Sequence, residues 1–203
     1  MFDSGISVKN LIEDLNTEVD IALTIPNATY VQWLNSLQQL LYTEIIKEQK
    51  KKVLQPPFEN NLIDISSIAE SNENAPRFED IHAVYADETQ LIKSTVASGV
   101  IFPNTFYKLG DKLVFHTKDK PAEITIIYFV KPALVEVDDN YNTNNVKVMI
   151  PIEFIDLVKA KLRGEAYKLA NEGELSAMWL NDYNILLETF KAWIAEKSPN
   201  FGM

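Results

Sequence analysis

The spacing of hydrophobic positions changes twice along the chain. Between residues 7 and 54, apolar residues recur every three or four positions in "VKNLIEDL" and in "YVQWLNSLQQLLYTEIIKEQKKKV". In the second segment the repeating positions are Val31, Leu34, Leu37, Leu41 and Ile45. That spacing predicts two N-terminal helices. We expect Asn27 or Thr29 to cap the second helix, which ends at "QPPF" because proline removes a backbone donor.

Residues 58–150 change to the pattern of β-strands. The segments "RFEDIHAVYA", "TFYKLGDKLVFHT" and "EITIIYFV" are short, rich in aromatic and β-branched residues, and separated by Asn, Gly, Asp and Pro. In the second segment, Gly110 and Asp111 predict a two-residue hairpin turn. In the third, both faces are apolar, which predicts a central strand or an edge strand covered by a neighbour.

The helical spacing returns from Pro151 onward. "PIEFIDLVKAKLRGEAYKLANEG" carries an apolar stripe formed by Ile155, Val158, Leu162, Ala166 and Leu169. Residues 171–173, "NEG", predict a helix end and a tight reversal. In the next helix one apolar face contains Trp179, Tyr183, Leu186, Phe190 and Trp193. We expect this aromatic face to lie inside the protein, packed on residues 152–170 and on the helix from Tyr30.

These segments together predict an α+β fold. Residues 1–57 and 150–203 are expected to form a helical bundle in which the two ends of the chain meet, and residues 58–149 an antiparallel β-rich insertion. At 203 residues, with 46% hydrophobic and 24% charged residues, the chain is long and apolar enough to bury a core.

Composition excludes several kinds of chemistry. The chain contains no cysteine, which rules out disulfides and thiolate ligands. Its net charge of -10 opposes general binding to phosphate backbones or anionic lipids. The N-terminus lacks the pattern of a signal peptide, and no apolar run is long enough to cross a bilayer. We therefore expect a soluble protein that is not conventionally secreted and does not bind membranes.

Candidate catalytic residues are few. His82 and His116 lie on separate predicted strands, and neither belongs to a zinc-binding pattern. The six glycines form no dinucleotide-binding fingerprint, Walker A loop or nucleophile elbow. We therefore expect no catalytic residues, no cofactor and no enzyme activity.

Charged and polar clusters are better interpreted as solvated surface. Asp138, Asn140 and Asn142 have the alternate spacing of a calcium loop, but Thr143 and Met149 occupy the positions that require Gly and Glu. A polar loop without metal is expected there.

Three further clusters are also expected to be surface features. The acidic pairs at residues 79–80 and 172–174 are typical of exposed faces. The segment "KEQKKK", residues 47–52, is a candidate basic patch for a phosphate or an acidic partner, but we interpret the run from Lys50 to Lys52 as an exposed helix C-terminus, where cations are favourable. Binding surfaces are therefore more plausible than an active site.

The order of these segments resembles the head-to-tail adaptor proteins of tailed bacteriophages, especially adaptors of the tail-tubular kind with a β insertion in a helical body. The resemblance is carried by "IPNATYVQWLNSLQQLLYTEIIKE", "YKLGDKLVFHT", "YFVKP", an Asn-rich loop and "IPIEFIDLV". It covers most of the chain as a layout and is closest from about Tyr107 to Trp193.

The resemblance implies a structural virion protein, located in the virion and, during assembly, in the host cytoplasm. It implies a ring of identical subunits, commonly twelve, beneath the portal. The ring would bind the portal protein and tail or neck proteins and surround a channel through which DNA passes without specific binding. The alternative is a baseplate or tail-associated module that binds a partner through its β region without forming a ring.

Overall fold

The computed structural model describes residues 3–56, 58–69, 73, 75–94, 102–136 and 146–197. The chain divides into two compact units, one formed by Met1–Ile46 with Leu134–Met203 and the other by Lys47–Ala133. The first is called the helical unit and the second the sheet unit. Both boundaries lie earlier in the chain than the sequence pattern predicts.

The helical unit brings together helices from both ends of the chain. Its elements are α1 (Val8–Glu18), α2 (Asn27–Leu41), α3 (Ile155–Leu169) and α4 (Gly173–Lys197). Ser7 caps α1, since its side chain accepts a hydrogen bond from the backbone N–H of Asn10. The predicted side-chain cap of α2 is wrong. Asn27 is already the first helical residue, and Pro26 precedes it with no side-chain hydrogen bond to the helix.

The second helix ends differently from the prediction. Val31, Leu34, Leu37 and Leu41 are buried as expected, but α2 is followed by a π-helical turn, Tyr42–Ile46. Because this turn is wider than an α-helical one, it shifts the inward-facing position by one residue. Ile46 is therefore buried, whereas Ile45 is only partly buried.

One hydrophobic core holds the helical unit together. α3 contacts α1, α2 and α4, and α4 also contacts the π-helical turn. Side chains with almost no exposure come from every helix and include Leu11, Tyr30, Leu34, Tyr42, Leu157, Val158, Leu162 and Phe190. The amphipathic stripes of both chain ends thus cover one another.

The described part of the sheet unit contains seven strands. They are β1 (Gln49–Leu54), β2 (Leu62–Asp64), β3 (Ile81–Ala86), β4 (Thr89–Lys93), β5 (Thr105–Leu109), β6 (Lys112–His116) and β7 (Ile124–Phe129). Their spatial order is β1-β7-β3-β4-β5-β6-β2. All neighbours are antiparallel except β4 and β5, which are parallel.

The predicted fold class is wrong. Over the residues that the structure describes, the chain forms a curled, mixed seven-stranded sheet with four α-helices, in which strands dominate, and not a helical bundle with a central antiparallel insertion. The sequence pattern missed β1, β2 and β4. Strand β4 exposes four of its five residues, and β2 has only three residues, so neither shows the alternation of a half-buried strand.

The run from Lys50 to Lys52 lies in strand β1 and not at a helix end, so that prediction is also wrong. Strand β1 is at one edge of the sheet and pairs with β7. Lysines on an edge strand are a common way to discourage pairing with other chains. The helical spacing that precedes these lysines therefore did not show where helix α2 ends.

Two local predictions in the sheet are confirmed. Strands β5 and β6 form the expected hairpin, with Leu109 opposite Lys112. Gly110 has φ 61° at the first central position of the turn, a backbone angle that residues other than glycine rarely adopt. Strand β7 is central, between β1 and β3, and four of its six residues are buried.

Candidate functional site

The two long C-terminal helices form a closely packed hairpin. Asn171 adopts φ 62° after the end of α3, as expected for a left-handed residue that terminates a helix. At Gly164 the helices approach so closely that a Cβ atom would lie 2.7 Å from Cδ2 of Leu180. The Ser176 hydroxyl donates a buried 2.9 Å hydrogen bond to the Gly164 carbonyl. A side chain at position 164 would therefore force Leu180 to move, a close approach that helical periodicity did not reveal.

An open groove of about 460 Å³ lies between these helices. The residues that line it come from α3 and α4: Asp156, Lys159, Ala160, Arg163, Trp179, Asp182, Ile185 and Leu186. Trp179 and Leu186 are partly buried against the core, whereas the Ile185 side chain is 59% exposed. Grooves with an apolar floor and a few charged groups at the rim are typical binding sites.

The two cations of the groove, Lys159 and Arg163, form ion pairs with acidic residues of helix α1. Lys159 Nζ lies 2.9 Å from an oxygen of Asp14 and 3.4 Å from one of Glu18. Arg163 also forms an ion pair with Glu18. Asp14 and Glu18 lie one helical turn apart on α1, as do Lys159 and Arg163 on α3, so the two acidic side chains face the two basic ones when these helices pack together. Sequence reasoning missed these four residues because it did not pair α1 with α3.

Arg163 is the most unusual of these side chains. Its guanidinium lies 4.5 Å from the centre of the Trp179 ring, within the range of a cation–π contact. Burial lowers the pKa of Arg163, although nearby Tyr167 and Asp14 act in the opposite direction. Its Nε atom is buried and has no hydrogen-bond partner among the described residues. The Trp179 ring therefore stabilises a guanidinium whose Nε–H group has no hydrogen-bond acceptor among the described residues.

The aromatic face of α4 lies inside the helical unit for the most part. Tyr183, Phe190 and Ile194 are buried, and Trp179, Leu186, Leu187 and Trp193 are partly buried against the same core. Phe190 packs on Phe154 with ring centres 4.9 Å apart, and Phe154 also contacts Trp193 at 5.3 Å. The predicted internal role is confirmed for the middle of the stripe. In the preceding helix, Leu169 is exposed, contrary to prediction.

The two histidines lie in different surroundings within the sheet unit. His82 borders an open pocket of about 370 Å³ whose described lining residues include no carboxylate: His82, Gln90, Leu91, Ile92, Lys93 and Phe106. His116 Nε2 lies 3.3 Å from the Tyr107 hydroxyl, and the two rings stack. Among the residues that the structure describes, neither histidine forms a hydrogen bond or ion pair with a carboxylate of the kind that general acid–base catalysis uses.

The predicted charged clusters divide into paired and exposed groups. Glu172 and Glu174 are exposed, as expected. Lys50 Nζ forms a 2.6 Å ion pair with Glu73, whose side chain is fully buried. Tyr128 also donates a 2.9 Å hydrogen bond to that carboxylate. Lys50 is therefore a structural partner in the sheet and not part of a free phosphate-binding patch.

Asp80 is buried, so the expectation of a solvated acidic pair at residues 79–80 is wrong for this residue. Its carboxylate accepts a 2.7 Å hydrogen bond from Lys131 and further bonds from the backbone and side chain of Arg77. Burial opposes ionisation, but the hydrogen bonds from Lys131 and Arg77 outweigh it and lower the pKa of Asp80. This network anchors the start of β3.

The loop with Asp138, Asn140 and Asn142 lies outside the described residues.

Among the described residues, no group of three or more histidines and carboxylates is arranged to hold a metal ion. Within the same ranges, no helix combines the length and apolar character needed to span a membrane. No protein-family model matches the sequence, and no curated protein matches it.

Proposed function

We propose that this protein is a structural component of a tailed-phage particle, a head-to-tail adaptor whose copies form a ring beneath the portal and connect capsid to tail. The observation that carries the proposal is the groove between α3 and α4. It combines an exposed apolar side chain, Ile185, with charged rim residues on two long helices. Such a surface suits contact with another protein better than chemistry on a small molecule.

Further exposed apolar residues support a protein with several contact surfaces. On α4, Leu175 and Met178 are 40% and 47% exposed, and on the sheet unit Ile92, Phe102 and Leu109 are 68%, 58% and 58% exposed. A ring subunit needs different surfaces for its two neighbours, because each contact joins unlike faces.

The distribution of charge is consistent with a connector around DNA. The helical unit carries 8 basic and 17 acidic residues, net -9, whereas the sheet unit carries 11 and 12, net -1. An acidic surface does not retain phosphate backbones by releasing counterions. DNA would therefore pass such a ring without being held.

The direct test combines the purified protein with the portal protein encoded in the same genome. Size-exclusion chromatography with light scattering should show a complex larger than the portal by about 280 kDa if twelve copies of the 23.1 kDa chain bind. The free chain alone is the control, and it is expected to be monomeric if the portal templates the ring. A mixture in which the two proteins elute separately would contradict the proposal.

The same measurement, repeated with a tail protein in place of the portal, distinguishes the alternative function. A baseplate or tail-associated module would bind its partner through the exposed apolar residues of the sheet unit without forming a ring. It would add the mass of one or a few chains to a tail protein and none to the portal. That result would replace the adaptor proposal with the alternative.

A further inference from the structure

The charge that remains unbalanced in the groove between α3 and α4 is negative. Its two cations are neutralised by their ion pairs with α1. Asp156 on α3 and Asp182 on α4 also line the groove, and neither forms an ion pair with any described residue. The helical unit as a whole carries 8 basic and 17 acidic residues. A partner that lies in the groove is therefore expected to bring cations for a carboxylate on each of the two helices.

An exposed apolar stripe runs along α4 beside these carboxylates. Leu175, Met178 and Ile185 are 40%, 47% and 59% exposed. Together with Asp182 they follow the three- and four-residue spacing of one helix face, and Trp179 lines the groove next to them. From Leu175 to Ile185 the stripe is about 15 Å long at the rise of an α-helix. The surface is thus elongated and suits the apolar face of an elongated partner.

A helix is the form of partner that this surface suits. The backbone N–H and C=O groups within α3 and α4 bond inside their own helices, so they offer no ladder on which an extended peptide could pair. A helix satisfies its own backbone and can lay one apolar face into the groove between two others. Its side chains repeat at the same three- and four-residue spacing as the stripe on α4.

The helices of this chain do not supply such a partner. α1 and α4 carry more acidic than basic residues, and α2 carries no charged residue. Among the described α-helices only α3 has net positive charge, with four basic and two acidic residues, but it forms one side of the groove itself. A second copy would therefore bring an acidic surface to an acidic groove, which is unfavourable.

We infer that the groove between α3 and α4 receives an amphipathic helix of another protein, with large apolar side chains along one face and lysines or arginines on both flanks. The apolar face would contact Ile185 and Trp179, and the cations would lie near Asp156 and Asp182. This inference rests on the proposed function, because it names the kind of segment through which a portal, neck or tail protein would hold this chain.

A synthetic peptide of about 18 residues, long enough to cover the stripe as a helix, is the probe. It carries leucines at three- and four-residue spacing and lysines elsewhere, with a fluorescent label that reports binding to the full chain by anisotropy. We expect saturable binding that weakens as salt is added, since the charges at the groove face solvent. The same peptide with glutamate in place of lysine is the control and should not bind. Equal binding of the two peptides, or no saturable binding of the lysine peptide, would overturn the inference.

Charge reversal tests whether the groove is the binding site. Asp156→Lys with Asp182→Lys should weaken binding of the lysine peptide by roughly tenfold. The matched control is Asp20→Lys with Glu44→Lys, which changes the net charge of the helical unit by the same amount at two exposed residues that do not line the groove. Equal losses in the two double variants would show general attraction to an acidic protein and would reject the groove as the site.

A second pair of variants tests the apolar contact. Ile185→Ser should weaken binding of the lysine peptide by roughly tenfold, because it removes an apolar side chain that the peptide would cover. Leu40→Ser is the control, since Leu40 on α2 is 49% exposed and does not line the groove. Both residues are exposed, so both variants should keep the fold, which circular dichroism checks. A loss for Leu40→Ser as large as that for Ile185→Ser would contradict the inference.

The outcome is separable from that of the proposed function. Peptide binding that depends on the groove residues, without any portal complex, would support this inference and reject the adaptor proposal. A portal complex that forms while the lysine peptide does not bind would leave the adaptor proposal intact and reject this inference.

Discussion

The close approach of α3 and α4 at Gly164 makes a specific prediction about stability. Replacing a glycine inside a helix by alanine normally stabilises it by about 0.8–1.0 kcal/mol. Here the added methyl would lie 2.7 Å from Cδ2 and 2.8 Å from Cγ of Leu180. Overpacking of this kind costs about 1–3 kcal/mol. We therefore expect Gly164→Ala to destabilise the helical unit by roughly 1 kcal/mol, the reverse of the propensity effect.

The assay is urea unfolding followed by tryptophan fluorescence. All three tryptophans, at positions 33, 179 and 193, belong to the helical unit, so the signal reports on that unit. Gly173→Ala is the matched control, because a Cβ at Gly173 meets nothing within 4 Å. That substitution should be neutral or stabilising, since it restricts the unfolded chain.

A double-mutant cycle locates the cause of the expected loss. Leu180→Ala removes the two atoms that the new methyl would meet. In that background, Gly164→Ala should change from destabilising to stabilising, and this coupling is the signature of a direct contact. If Gly164→Ala alone stabilises the protein as much as Gly173→Ala does, the close packing of α3 on α4 is wrong.

Two further substitutions test the cores of the separate units. Phe190→Ala should lower the free energy of unfolding of the helical unit by about 3–5 kcal/mol, because a fully buried ring packed on Phe154 is removed. A loss below about 1 kcal/mol in the fluorescence assay would place Phe190 outside the core. Asp80→Asn should lower the stability of the sheet unit by about 1.5–3 kcal/mol near neutral pH, measured by urea unfolding with circular dichroism, because the charged hydrogen bonds with Lys131 are lost. Since folding lowers the pKa of Asp80, the advantage of the wild type should be complete above the ordinary aspartate pKa of about 3.9 and disappear as pH falls further. A difference that stays constant from neutral pH to pH ~2 would refute the role of the charge.

The sequence predicted the helices of this protein better than its sheet. Amphipathic spacing identifies α1, α3 and α4, because each helix buries one stripe against the others. The same signal failed at the end of α2, where the π-helical turn changes which isoleucine faces inward. Sequence spacing carries no information on that local widening.

Strands were predicted where both propensity and burial are strong. Strand β7 and the β5–β6 hairpin have aromatic and β-branched residues with a clear turn at Gly110. Strand β1 was missed because three consecutive lysines conceal its alternation, and the parallel pairing of β4 with β5 depends on contacts distant in sequence. The size and mixed character of the sheet are therefore tertiary properties that local patterns do not encode.

The groove was recognisable only in part from the sequence. Trp179 was assigned to an internal face, and it does pack against the core while also lining the groove. The contact of Trp179 with Arg163 depends on how α3 and α4 pack together. The ion pairs of Lys159 and Arg163 depend on how α1 and α3 pack together. The charge spacing within each helix is visible in the sequence, but the pairing of the two helices is not.

The proposed function is tested most directly by electron cryo-microscopy of the tailed-phage particles in which we propose that this chain is a component. We expect copies of the chain in a closed ring between portal and tail. Particles in which the portal meets the tail with no ring of this chain between them would contradict the account.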